Sequence, residues 1–227
     1  MNKPTSLLKA ALAIVSKDLR TEIRSRETVS AMLLFALLAI FIFSFALELD
    51  RSGRQASASG VLWVTVIFAG TLGLGRSINR EKDQGSLDGL LLIPADRAAL
   101  YLGKMIVNFL FILIIAVVML IPLSLLFDVS FLNPFMALVI LAGVLGYAAT
   151  GTLIASMASF TRGREVLLPV LLLPIALSII VPAVRATRDL LEGAPFEDIA
   201  QPLNLLVVMT VIYVTLGFLL FEFVVEE

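Results

Sequence analysis

Residues 105–127 read MIVNFLFILIIAVVMLIPLSLLF, a run without a single charged side chain. A helix rises about 1.5 Å per residue, so roughly 20 apolar residues cross the hydrocarbon core of a bilayer, and this run is long enough to do so. Residues 28–47, 60–74, Pro134–Ser159, 166–184 and 203–224 share its character. The stretch at 60–74 is short, and Ser77 and Ile78 extend it. Together these runs predict an all-α, polytopic membrane protein with six transmembrane helices, forming a single transmembrane domain over residues 1–227.

Composition agrees with that reading. Of 227 residues 59% are hydrophobic and the mean hydropathy is +1.02, against about 45–50% apolar residues in soluble domains, so lipid rather than water covers most of this surface. The formal net charge of -1 excludes a bulk polyanion binder, and no nucleic-acid partner is expected. Cysteine and histidine are absent, which removes disulfides, thiol nucleophiles, Cys/His metal sites and serine–histidine catalysis. No G-x-x-x-x-G-K-[ST] phosphate loop occurs, so the chain does not cradle ATP in the usual way. Ionisable residues deep in the spans are nearly absent: Glu165 and Glu222 sit at span ends and Asp128 lies just past the third. A proton or sodium relay needs buried charge, so a secondary transporter is disfavoured and a non-catalytic membrane subunit is expected.

Basic residues near span ends stay cytoplasmic, and their distribution orients the chain. Of 17 Lys and Arg residues, only Arg51, Arg54, Arg185 and Arg188 fall on one side. The other side holds the rest: Lys3, Lys9, Lys17, Arg20, Arg24 and Arg26 before the first span, Arg76, Arg80, Lys82, Arg97 and Lys104 between the second and third, and Arg162 and Arg164. That side is expected to be cytoplasmic, together with both termini. Ala56-Ser57-Ala58 resembles a signal-peptide cleavage site. The long basic region, the full-length apolar run and the intervening Glu48, Asp50 and Arg51 argue for a retained span instead.

Residues 1–27 contain Leu8, Leu12, Val15, Leu19 and Ile23 at helical spacing, with Lys9, Lys17, Arg20 and Arg24 around the other face. The pattern predicts an amphipathic interfacial helix whose stripe sinks into the acyl boundary while its basic face meets anionic headgroups. It serves either as an anchor or as a partner contact.

The connection over residues 76–104 is long for a helical bundle and is the candidate functional segment. Arg80, Glu81, Lys82 and Asp83 form a charged run, Gly85-Ser86 breaks it, and Leu87, Leu90 and Leu91 make a short apolar stripe ended by Pro94. Asp96 is positioned to cap the helix leading into the third span. A short helix with exposed leucines projected into the cytoplasm suits docking in a cleft of a soluble partner, and it equally suits lying on the headgroups.

Other motifs carry less. Gly151, Ala155 and Ser159 make a small-xxx-small pattern that permits close helix approach, chiefly within the chain. Pro169, Pro174 and Pro182 are expected to kink or interrupt the fifth span. Residues 185–202, with Asp189, Glu192, Glu197, Asp198 and the breakers Gly193, Pro195 and Pro202, read as an external loop that is solvated, holds a short surface helix, or binds a partner.

Several segments together resemble the haem exporter protein B, or CcmB, family of the cytochrome c maturation system, within the type 2 ABC exporter permeases. They are Gly60-Val61-Leu62-Trp63-Val64; Asn79-Arg80-Glu81-Lys82-Asp83-Gln84-Gly85-Ser86-Leu87-Asp88-Gly89-Leu90-Leu91-Leu92-Ile93-Pro94; Leu102-Gly103-Lys104; Arg162-Gly163-Arg164-Glu165-Val166-Leu167-Leu168-Pro169; and Leu216-Gly217-Phe218-Leu219-Leu220-Phe221-Glu222. The charged-Gly-Ser-Leu segment alone fits the wider group, and the Trp63 and Arg-Glu-Val-Leu-Leu-Pro segments narrow it. The resemblance implies a bacterial inner-membrane permease subunit coupled through Arg80, Glu81, Lys82, Asp83, Gly85, Leu87, Leu90 and Leu91 to a partner ATPase, the cytochrome c maturation protein A, which binds the ATP. It implies assembly with the haem-handling membrane protein C and a small accessory subunit, and a role in haem delivery or in release of the haem-loaded chaperone, protein E.

No cofactor is expected on this chain itself. Haem iron takes His, Cys, Met or Tyr ligands, and only methionines such as Met105, Met119, Met157 and Met209 or tyrosines such as Tyr147 are present, so ligation is expected in protein C. Two alternatives stay open. One is a permease for a lipid, glycan or drug, with a polar cavity between two copies of the chain. The other is a non-transporting scaffold for the ATPase.

Overall fold

The computed structural model describes residues 7–47, 50–83, 97–159 and 164–224. These form seven helices: α1 (Leu7–Ser25), α2 (Glu27–Ala46), α3 (Arg51–Asp83), α4 (Arg97–Phe127), α5 (Pro134–Ser159), α6 (Arg164–Leu191) and α7 (Phe196–Val224). Among the described residues six helices, all but α1, are long and apolar enough to cross a membrane, so the all-α polytopic fold stands.

Local chemistry sets the helix ends. Asp50 Oδ1 accepts from Gly53 N at 2.9 Å, and Asn133 Oδ1 accepts from Phe135 N at 3.0 Å with Pro134 in the first helical position. Both satisfy N–H groups that a helix start leaves unpaired. Asp128 closes α4 in the left-handed region at φ 52, and Gly193 follows α6 at φ 70, where a residue lacking Cβ is least strained.

Two expectations need correction. Residues 185–202 are not an extended loop: α6 continues to Leu191 and α7 begins at Phe196, leaving a tight turn. Arg185 and Arg188 do not stop α6, because backbone pairing continues past the point where side chains become polar. Of the kink or interruption expected at Pro169, Pro174 and Pro182, interruption does not occur: all three lie inside one continuous helix, as membrane helices tolerate when neighbours cover the freed carbonyls.

Helix α5 is the hub, packing against α3, α4, α6 and α7. Its glycines let large neighbours approach. A Cβ on Gly143 would overlap the Trp63 indole, and one on Gly151 would overlap Leu74 Cδ1. Gly151 thus serves packing within the chain. The Trp63 Nε1–H donates to Thr187 Oγ1 at 2.9 Å, pinning α3 to α6 beside α5. Deeper in the bundle Tyr147 donates to Ile67 O at 2.9 Å, and its oxygen lies 2.7 Å from Thr71 Oγ1. Asn108 Nδ2 donates to Thr152 Oγ1 at 2.9 Å between α4 and α5. Each of these buried groups has a partner, which removes the penalty of burying it alone, whereas the Thr65 hydroxyl on α3 is buried without one among the described residues.

Candidate coupling region

Arg80, Glu81, Lys82 and Asp83 form the last turn of α3. Gly85, Leu87, Leu90 and Leu91, with Pro94 and Asp96, lie outside the described residues. The described structure brings together what holds the two ends of this connection.

Helix α1 lies against the first turns of α4. A Cβ on Gly103 would stand 2.9 Å from Ile14 Cβ and 3.1 Å from Ala11 O, so glycine permits the two backbones to approach. One residue on, Lys104 Nζ donates to Asp18 Oδ2 at 2.7 Å, with only 11% and 16% of the two side chains exposed. Lys17 Nζ lies 3.2 Å from the other Asp18 oxygen. A largely desolvated charge pair is held firmly once formed and is costly to break on one side.

The corner between α1 and α2 is equally tied. Arg26 takes the left-handed region at φ 53, and Glu22, only 6% exposed, accepts from Val29 N at 2.8 Å. A carboxylate placed at the start of α2 satisfies a free N–H and meets the positive end of the helix dipole. From α3, Arg76 Nη1 donates to Glu27 O at 3.3 Å and lies 4.0 Å from Glu27 Oε1. The α1–α2 corner therefore braces both α3 before the connection and α4 after it.

The amphipathic reading of α1 is adjusted by this packing. Ala11, Val15 and Glu22 are buried and Asp18 turns to Lys104, whereas Leu8 and Ile23 are each 70% exposed and Leu12 61%. The apolar stripe is thus split, with Val15 in the core and Leu19 packed beside it. Asp18, Glu22 and Lys104 escaped an apolar-periodicity reading because the packed face of α1 is partly acidic. The available signal was two acids four residues apart in an otherwise basic segment, and the Leu102-Gly103-Lys104 motif.

Six helices long and apolar enough to span a bilayer, with α5 packed against four of the others, define a multi-pass membrane protein among the described residues. The sequence model of the CcmB protein family matches residues 9–225, and the chain belongs to that family. A heme exporter protein B of Bradyrhizobium diazoefficiens is 24% identical over 214 residues, covering 92% of this chain and 94% of that protein. The heme exporter protein B of Pseudomonas aeruginosa is 24% identical over 184 residues, 80% of this chain and 82% of its own length. That of Escherichia coli K12 is 27% identical over 91 residues, 40% of this chain and 41% of its own.

Proposed function

We propose that this chain is the membrane subunit of an ATP-driven assembly in cytochrome c biogenesis, coupling hydrolysis by a partner ATPase to haem delivery or to release of a haem-loaded chaperone. The observation that carries the reading is the family match across residues 9–225, with relatives that bear the name heme exporter protein B. The ATPase of this reading is the cytochrome c maturation protein A. Protein C and a small accessory subunit complete the complex in the bacterial inner membrane, with both termini of this chain cytoplasmic.

Arg80, Glu81, Lys82, Asp83, Gly85, Leu87, Leu90 and Leu91 form the docking element in this reading. Its support is mechanical. The helices on either side of this connection are both held against α1 and the α1–α2 corner, by Arg76–Glu27 and Asp18–Lys104. Haem ligation is assigned to protein C, because Tyr147 spends its hydroxyl on Ile67 O and Thr71, and Met119 is wholly buried. The space between α3, α4 and α5 is filled by side chains including Trp63, Ile112, Ile115 and Tyr147. This packing favours a scaffold, or a path between copies of the chain, over a channel within one copy.

Deleting the gene in its host should abolish covalently haem-loaded c-type cytochromes on haem-stained gels, and re-expression should restore them. Undiminished cytochrome c maturation in the deletion strain would overturn the assignment.

A further inference from the structure

The outward faces of the spanning helices differ in composition. Within their spans α2 exposes Leu38, Phe41 and Ile42, and α4 exposes Val117, Val118 and Ile121, side chains that acyl chains cover well. On α7 a different row runs along the exposed face: Glu197, Gln201, Asn204, Val208, Val211 and Thr215, at alternating steps of four and three residues. All six are exposed, and the alternation is that of a seam along which one helix meets another. Asn204 stands about 12 Å along α7 from Phe196, at 1.5 Å per residue. With a hydrocarbon core of about 30 Å centred on the 26-residue span Phe196–Phe221, its amide lies inside the core. That amide makes no hydrogen bond within the described residues. Lipid tails offer it no partner, whereas a neighbouring helix does.

We infer that this face of α7 docks a transmembrane helix of a different membrane protein, one that brings an amide or hydroxyl to Asn204 at its own depth and a Lys or Arg to Glu197 at the Phe196 end. Val208, Val211 and Thr215 supply the short β-branched side chains that pack well at such a seam. A second copy of this chain fits less well. Paired symmetrically about an axis along the membrane normal, the row would set Glu197 beside its own equivalent, where like charges repel, and a different chain supplies the opposite charge instead. The inference goes beyond the proposed function, since it needs only the unpaired amide and the row around it, whatever the cargo or the ATPase.

The test places the photoreactive residue benzoylphenylalanine at Val208 or Val211 of the full chain, produced at its natural level in its own host, with Leu38 on α2 as the control position. Irradiated adducts are mapped by peptide mass spectrometry. Those from Val208 and Val211 should fall on one apolar, span-length segment of another membrane protein, with an Asn, Gln, Ser or Thr inside the span and a Lys or Arg beyond the end nearest Phe196, and should be absent from the Leu38 position. Asn204→Leu, which keeps the span apolar, should lower the yield several-fold at equal membrane levels while Asn204→Gln retains most of it, and Glu197→Lys should lower it as well. Adducts on lipid alone, adducts at twice the mass of this chain, equal capture from Leu38, or a captured segment with no polar residue in its span would overturn the inference. So would a yield that ignores Asn204→Leu.

Discussion

Lys104, in the second turn of α4, donates to the carboxylate of Asp18 on α1 at 2.7 Å, across 86 positions of sequence. The contact fixes the N-terminal helix to the start of the third span, just past the connection proposed to receive the ATPase. Because both side chains are largely desolvated, breaking the pair from one side leaves a charge poorly compensated.

Asp18→Ala is therefore expected to loosen α1 by roughly 2 kcal/mol, within the range for hydrogen bonds to charged groups. The chain has no cysteine, so a Val15→Cys background reports docking through thiol labelling. Labelling should accelerate by more than tenfold in Asp18→Ala, since about 1.4 kcal/mol is a factor of ten. Replacing both partners, Asp18→Leu with Lys104→Met, should return much of the protection. Unchanged labelling in Asp18→Ala would show that the pair contributes nothing to docking.

The Trp63–Gly143 contact predicts a packing defect. A Cβ at position 143 would overlap the indole, so Gly143→Ala should cost about 1–3 kcal/mol, the usual range for overpacking, and lower the thermal midpoint in detergent. Trp63 is the only tryptophan, so its emission reports directly on this junction. A shift is expected in Gly143→Ala and in Thr187→Val, which removes the acceptor of the 2.9 Å bond. An unaltered midpoint in Gly143→Ala would mean that the three-helix junction is looser than described.

Much of the fold was legible because one quantity decides it: an apolar run either is or is not long enough to span. Pro134–Ser159 matches the expected span at both ends, since Asn133 and Pro134 announce the start. The other ends were misjudged wherever a helix outlasts its apolar segment, as α3 does from Arg76 to Asp83 and α6 does from Arg185 to Leu191. Hydropathy reports where lipid ends, not where hydrogen-bonded backbone ends. The candidate coupling region was half legible. Its charged run was visible in sequence, but the bracing by Asp18, Glu22 and Gly103 depends on contacts between distant segments that no local pattern encodes.

The orientation proposed from the basic residues is open to direct measurement. If Arg51, Arg54, Arg185 and Arg188 are the outer basic residues of the proposed orientation, a reporter active only outside the cytoplasm should be inactive when fused after Glu227 and active when inserted at Gly193. An active reporter at Glu227 would show that the spans do not alternate as proposed.

The central claim is that the connection between α3 and α4 is where the ATPase docks. Co-purification of the ATPase with this chain, compared between the natural sequence and the Leu87→Asp, Leu91→Asp double variant, tests it most directly. Placing charge where an apolar anchor is buried costs desolvation without a new partner, so the double variant should insert normally and lose the ATPase. Glu81→Lys should weaken recovery less severely, by leaving a partner charge unpaired. Full recovery of the ATPase with the double leucine variant, at equal membrane levels, would contradict the account and assign the leucines to the membrane surface instead.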